Sequence, residues 1–394
     1  MKIIGNFLLV VCMGLLCSNL LFAAQDSTKV HFAYDLNFDM KFDNREFDAS
    51  HIDMMKSQTL IGARLSPAFG IKINGKDSSH KLMLGLDMMK NFGRSPISPE
   101  IHGKDEPEAA QRQNTWDIFE EITLYYQMQA IVGKKRPVTI DLTTGVFPKK
   151  FMGGEYSEAI FSDSLRFVDN NIEGILVSFK TKKAYCEIGC DWMGEKGNFR
   201  RERFMIFGAG NVNIVKWLDF SYVAYMYHYA NSRAAGGVVD NHLINPKFDF
   251  KFQAFAPLQK LQLSVGALAS GQNDRKQINK YTFPCALEVL ADVRKWDVGI
   301  RNAFYWGNNM MPYYNNLDQG GFKYGNQLYL GNPMMRMIEP GSSDKTGLYD
   351  CLEIYYQPRI ASFVDIRLEA GFHFNRHRYL GCQQLVSIVF HLNN

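Results

Sequence analysis

Along most of this chain apolar and polar residues alternate one for one. In "VDIRLEAGFHFNRH", Val364, Ile366, Leu368, Ala370, Phe372 and Phe374 interleave with Asp365, Arg367, Glu369, Gly371, His373 and Asn375. Successive side chains of an extended strand point to opposite faces, so the stretch carries an apolar row on one face and charges on the other. Strands of ordinary sheets rarely pass about ten residues, and this one is longer. The same pattern recurs in "VHFAYDLNFDMK", "IGARLSPAFGIKI", "VTIDLTTGVF", "KFDFKFQAF" and "WDVGIRNAFYW". A few stretches, such as 221 to 229, alternate poorly.

The pattern predicts about sixteen strands, near 29 to 43, 57 to 73, 80 to 90, 115 to 130, 136 to 148, 171 to 180, 184 to 193, 200 to 212, 216 to 230, 242 to 256, 259 to 269, 281 to 293, 295 to 307, 347 to 357, 361 to 375 and 380 to 392. Links after even-numbered strands are short ("NGKDSSH", "VGKKRP", "TKK", "NIVK", "APLQK", "RK", "QPRI"). Most links after odd-numbered strands are long, near 91 to 114, 149 to 170, 231 to 241, 270 to 280 and 308 to 346. Loops sorted in this way, with an even strand count, predict an all-β fold: a closed antiparallel transmembrane β-barrel with short periplasmic turns and longer extracellular loops. Closure satisfies the backbone in hydrocarbon, with apolar rows toward lipid and charged rows toward water inside. Tyr125, Tyr126, Trp192, Trp217, Tyr227, Tyr229, Trp296, Trp306, Tyr355 and Tyr356, near strand ends, are expected to form the interfacial girdles.

The opening "MKIIGNFLLVVCMGLLCSNLLFAAQ" has the basic start, apolar run and small-residue end of a secretory signal peptide. The expected organisation is a signal at 1–24 and one barrel at 25–394, exported by the general secretory route to the outer membrane of a Gram-negative bacterium. Beyond the signal no apolar run approaches the roughly 20 residues of a spanning helix. The formal net charge of +4 is too slight to predict a nucleic-acid partner. Cys186 and Cys190 would stand about 13 Å apart on one strand, too far to bridge, and Cys285, Cys351 and Cys382 show no pairing framework. No cofactor and no metal site is predicted.

A barrel of about sixteen strands leaves room for an aqueous channel unless something plugs it. The predicted lumen-facing residues are Asp35, Asp39, Arg64, Lys72, Asp141, Lys247, Asp249, Lys251, Asp297, Arg301, Asp365, Arg367, Glu369 and His373. Any one of them could equally serve as an interior salt bridge that stiffens the wall. From the fifth strand, "GVFPKKFMGGEYSEAIFSDSLRFVDNNIEG" carries Gly145, Pro148, Phe151, Glu155 and Ser164 in an order that resembles porin-like outer-membrane barrels, loosely the phosphate-selective porin superfamily and barrels of the Bacteroidota type. The resemblance implies that the third long loop, about Lys149 to Asn170, folds inward and forms the constriction. Phosphate-selective members are expected to cluster basic residues there. This loop instead sets Lys149, Lys150 and Arg166 against Glu155, Glu158, Asp163 and Asp169, and a mixed ring implies a transverse field with weak charge preference.

Other chemistry reads weakly. Ser387 and His391 share a face of the last strand but stand about 13 Å apart with no acid in view. His373 and His377 read as wall and loop histidines, and "GAGNVN" lacks the third glycine and the βαβ context of a dinucleotide loop. The loop at 308 to 346, rich in Asn, Gly, Tyr and Met, reads as a cover of the mouth or a glycan-binding surface. The last strand, with Val386, Ile388, Phe390 and Leu392 on one face, resembles the terminal signal read by outer-membrane assembly machinery. The leading expectation is therefore a non-enzymatic channel for passive diffusion of small polar or charged solutes, embedded in outer-membrane lipid, with a homotrimer one assembly open to it. A plugged barrel with binding or structural loops is the alternative, and a membrane-embedded hydrolase the third.

Overall fold

In the computed structural model the alternating stretches become one continuous wall. The structure describes residues 29–47, 57–92, 119–198, 200–234, 236–252, 257–311, 332–338 and 342–394, with 313, 324 and 328. The expected signal segment lies outside them. The strands are β1 (Lys29–Phe47), β2 (Gln58–Asn74), β3 (Ser78–Asn91), β4 (Phe119–Val132), β5 (Val138–Pro148), β6 (Asn171–Lys180), β7 (Ala184–Gly194), β8 (Arg203–Val215), β9 (Leu218–Tyr229), β10 (Val239–Lys251), β11 (Lys260–Asp274), β12 (Cys285–Lys295), β13 (Val298–Gly307), β14 (Gly347–Tyr356), β15 (Arg359–Ala361), β16 (Val364–Asn375) and β17 (Tyr379–Asn393).

Neighbours in sequence pair antiparallel, and β17 pairs back onto β1 from Asp35↔Asn393 to Phe47↔Gly381, so the sheet has no open edge. The three-residue β15 sits in the turn before β16, while β14 pairs directly with β16. The wall is a closed barrel of sixteen strands plus this extra piece.

Burial inverts the order found in water-soluble proteins. Phe32, Phe69, Leu84, Ile122, Leu124, Ile188, Phe248 and Ile300 are exposed, while Arg64, Asp87, Glu187, Lys247, Asp249 and Glu288 are buried. Apolar side chains exposed in a belt around a polar interior are what a lipid solvent selects. The poor alternation of β9 has a physical cause. Its inward residues Val223, Tyr225, Tyr227 and Tyr229 belong to the same buried core as Met310, Met311 and Tyr324, so they too are apolar.

Two expectations change. Trp296 is not part of a strand row: Trp296 and Asp297, at φ 52° and 64°, form the two-residue turn between β12 and β13. Of the ten girdle aromatics, Trp192, Trp217, Trp296, Trp306 and Tyr356 are exposed, whereas Tyr125, Tyr227, Tyr229 and Tyr355 are buried. These last four fall on the inward parity of their strands, which position near a strand end does not reveal.

Gly145 (φ 117°) faces Gly174 across the β5–β6 pair, and a Cβ there would lie 2.2 Å from the Leu124 carbonyl oxygen. Only glycine fits where β5 turns toward the loop that follows it. At the β17–β1 seam the Asn394 side chain imitates a peptide group. Its Nδ2 donates to the Phe32 carbonyl at 3.1 Å, and its Oδ1 accepts from the Tyr34 N–H at 3.0 Å. The five described cysteines are free thiols.

Candidate functional site

The segment between β5 and β6 lies inside the barrel. It opens with a single 3-10 turn, Lys149–Phe151, and ends with a short helix, α1 (Asp163–Val168), whose N-terminus is capped by the Ser162 hydroxyl accepting from the Leu165 N–H at 3.1 Å. Lys149 joins the two ends of the loop, donating to the Asn171 carbonyl at 2.6 Å and pairing with Asp169 at 2.8 Å and Asp191 at 3.7 Å. Burial alone would depress its ammonium, but the two carboxylates outweigh that and hold its pKa above the usual lysine value.

Other bonds tie the loop to β1, β2, β7, β12 and β13. Glu187 on β7 accepts from the backbone N–H groups of Gly153 and Gly154, each at 2.9 Å, and from the hydroxyls of Tyr156 and Tyr185. Ser157 donates to Glu288 on β12, Arg301 on β13 pairs with Glu158 at 2.6 Å, and Lys150 reaches Asp35 on β1 at 2.6 Å. Arg64 on β2 pairs with Asp87 and donates to the Phe167 and Val168 carbonyls at 2.7 and 3.0 Å.

Of the seven charged loop residues named from sequence, Lys149, Lys150, Glu158 and Asp169 are therefore engaged in ion pairs. Glu155 and Asp163 are exposed, and Arg166 is half-buried. Glu155 offers its carbonyl oxygen to Lys247 at 3.4 Å, and Asp163 offers its own to Lys41 at 3.4 Å.

The loop also brings apolar groups into the lumen. Tyr156, Ile160, Phe161 and Leu165 join Phe207 and the residues Met310, Met311, Tyr313, Leu328, Met334 and Met337 in one core. The 308–346 segment, expected as a surface cover, thus buries its described apolar residues inside the barrel. Methionine and tyrosine suit this, since they fill irregular space between a loop and a wall. Beside α1 and the β17–β1–β2 wall a cleft is left, lined by Lys41, Arg45, Leu60, Phe167, Gln383 and Leu385 among others.

Toward the short turns the interior is polar. Lys251 pairs with Asp219 and Lys260 with Asp292, at 2.6 and 2.7 Å. Glu353 lies between Arg301 (3.3 Å) and Arg367 (3.6 Å), Arg367 also pairs with Glu369 at 2.6 Å, and its guanidinium stacks 4.0 Å from the Tyr355 ring centre. Asp141 accepts from Gln129 at 2.8 Å, Asp249 from Ser221 at 2.5 Å, and Lys72 is half-buried. Asp39 is half-buried on β1. Asp365 pairs with His391 at 3.7 Å, and buried His373 bonds through Nδ1 to the Tyr349 hydroxyl at 2.6 Å. Asp297 departs from expectation: it lies in the β12–β13 turn, where the hydrogen bond from Gln259 and the neighbouring Arg294 hold its carboxyl below the ordinary range.

Among the described residues no group of three or more His, Cys, Asp or Glu is placed to hold a metal. His377 bonds to Asp344 at 2.8 Å in the loops, away from His373. Sequence reasoning missed a different group. His228 and Asp240 stand opposite each other on β9 and β10, with His228 Nδ1 3.1 Å from Asp240, whose other oxygen takes Arg275 Nε at 2.5 Å. They share the outward parity of exposed Ile206 and Ile244 and lie at the long-loop end, where Phe204 packs between His228 (5.0 Å) and Trp192 (5.7 Å). The signal was available: both residues are equidistant from Ala234, as a hairpin register requires.

The closed wall, outer apolar belt and loop-filled polar interior define an outer-membrane β-barrel. Residues 23–379 match the lipid A 3′-O-deacylase-type family, and the chain belongs to that family. The phosphate-selective porin superfamily, to which the 145–164 stretch was likened, is not the family that matches. No curated protein matches the chain. Among solved structures, a loop-deleted form of OmpT, an outer membrane protein of Vibrio cholerae, is similar at 9% identity and TM-score 0.49, covering 93% of this chain and 100% of that one. The outer membrane protein opdK of Pseudomonas aeruginosa is similar at 7% identity and TM-score 0.43, covering 92% and 99%.

Membership in a deacylase family overturns the expectation of a non-enzymatic barrel. That expectation rested on the lack of a nucleophile and base along any one strand. A barrel wall assembles its groups across strands, as His228, Asp240 and Arg275 show.

Proposed function

We propose that the barrel passes small polar or charged solutes through the cleft beside α1, with the 149–170 loop as its constriction and the polar interior as its vestibule. The observation that carries this reading is the cleft itself: beside the 149–170 loop, space stays open along β17, β1 and β2, with Lys41, Asp43, Arg45 and Asp163 on its walls. Balanced charge at a narrow point gives small conductance and weak ion preference. Single-channel recording of the purified protein in a planar bilayer tests it. Small, stable steps are expected, larger in Phe167→Ala; a folded barrel giving no steps in either form would sink the reading. Export by the secretory route, insertion through recognition of β17 and assembly as a homotrimer belong to the same proposal.

A second reading concerns the outer surface and is favoured by the family and by the outward His228–Asp240–Arg275 group. In it the chain hydrolyses an acyl ester of a lipid A-type glycolipid in the outer leaflet. With Nδ1 engaged by Asp240, His228 Nε2 is the nitrogen left to take a proton from water attacking the ester carbonyl. The carbon–oxygen bond to the sugar then breaks, the proton passes to the leaving alkoxide, and Arg275 lies nearby to face the developing oxyanion. Mass spectrometry of lipid A from cells carrying the chain should show loss of an acyl chain, abolished in His228→Ala. Unchanged lipid A would remove this reading and leave the first intact.

A further inference from the structure

A second polar group faces lipid at the opposite end of the wall. The Ser78 hydroxyl lies 3.3 Å from His80 Nε2, and His80 Nδ1 lies 2.7 Å from the Tyr126 hydroxyl. Ser78 and His80 are two residues apart on β3, so their side chains leave the same face of the strand. That face is outward, since Leu82, Leu84 and Leu86 continue it and are exposed, as are Ile122 and Leu124 in line with Tyr126 on β4. β3 begins at Ser78, directly after the short turn 75–77, so the group sits at the lower edge of the belt, level with the headgroups of the periplasmic leaflet. His80 and Tyr126 stack with ring centres 6.1 Å apart, which fixes the imidazole plane.

Polar side chains on a lipid-facing surface are costly, and a serine joined to a histidine whose far nitrogen is also bonded is the arrangement that activates a hydroxyl. We propose that Ser78, His80 and Tyr126 form a lipid-facing nucleophile relay that cleaves acyl esters of glycerophospholipids in the periplasmic leaflet, separate from both readings above.

In the first step the Nδ1–H of neutral His80 donates to the Tyr126 oxygen, and Nε2 accepts the Ser78 proton as Oγ bonds to the ester carbonyl carbon. The bond from that carbon to the glycerol oxygen breaks, and Nε2 returns the proton to the departing alkoxide, releasing a lysophospholipid. Water from the interface then attacks the acyl-serine, giving its proton to Nε2, and the fatty acid leaves as Ser78 regains the proton. Electrons and atoms balance without a further reactant. Tyr126 touches no reacting atom and is a positioning residue.

The test uses the full-length barrel in vesicles of phosphatidylethanolamine and phosphatidylglycerol, with a fluorophosphonate probe and fatty-acid release as readouts, and the heat-modifiable gel shift as proof of folding in each variant. The probe should label Ser78 in the peptide map, and both label and release should vanish in Ser78→Ala. Release should fall about a hundredfold in His80→Ala, the scale of a lost general base. Tyr126→Phe should keep the label and move the pH profile of release, which a loss of packing alone would not do. Equal labelling of folded wild type and Ser78→Ala, or release no faster than from vesicles alone, would overturn the proposal.

Discussion

Arg64 shows how much a single lumen charge can hold. It is 2% exposed, paired with Asp87, and bonded to the last carbonyls of α1. Removing it strands a buried carboxylate, which costs about 3–5 kcal/mol. Arg64→Ala should therefore lower the unfolding temperature markedly in circular dichroism, while the double change Arg64→Met with Asp87→Leu should recover most of the loss and free α1. Asp344 makes a gentler case. The hydrogen bond from His377 holds its carboxyl below the ordinary range. Its contribution is present above the unfolded carboxylate value near 4 and fades as pH falls through the lowered folded value. Limited proteolysis of the 342–346 segment should accelerate only in that acid window, and Asp344→Asn should remove the change.

At the scale of the elements, most strands were legible in the sequence because two solvents meet at each of them. β2 and β10 read cleanly, since Arg64 and Lys247 face the interior while Phe69 and Phe248 face lipid. β9 did not, because its inner neighbours are loop side chains and the contrast that marks a wall strand disappears. The inward tyrosines of β4, β9 and β14 were hidden for another reason, since position near a strand end does not tell which face a ring takes. Loop contacts such as Glu187 to Gly153 join residues whose proximity no local pattern encodes. The outward pair His228 and Asp240 needed a register, which a period of two supplies only once the turn is placed. Gly145 gives this scale its prediction: alanine there adds a Cβ against the Leu124 carbonyl at a left-handed φ, a strain of about 1–3 kcal/mol. The urea midpoint of Gly145→Ala should fall with its slope unchanged.

For the molecule as a whole, the loops that fill the lumen are as much a part of the barrel as its strands. The 149–170 segment is tied to three well-separated parts of the wall, Asp35 on β1, Glu187 on β7 and Arg301 on β13, and so braces the cylinder from within. Replacing 152–168 by a short Gly-Ser bridge should raise conductance several-fold and lower the temperature of the gel-shift transition; an unchanged conductance would place the passage elsewhere.

The pairing of β1 with β17 carries a further consequence, for the order in which the molecule can be made. The first strand of the wall has no partner on one side until the last has been synthesised, so a nascent chain must carry two raw β edges, each a template for the wrong neighbour, through its whole delivery. The Asn394 amide lengthens the final handshake by two hydrogen bonds on β1. Asn394→Ala should leave the finished barrel nearly as stable but slow its closure, seen as a longer-lived unshifted band during refolding into vesicles. For this protein, the strand that closes the wall decides when the one that opened it becomes safe.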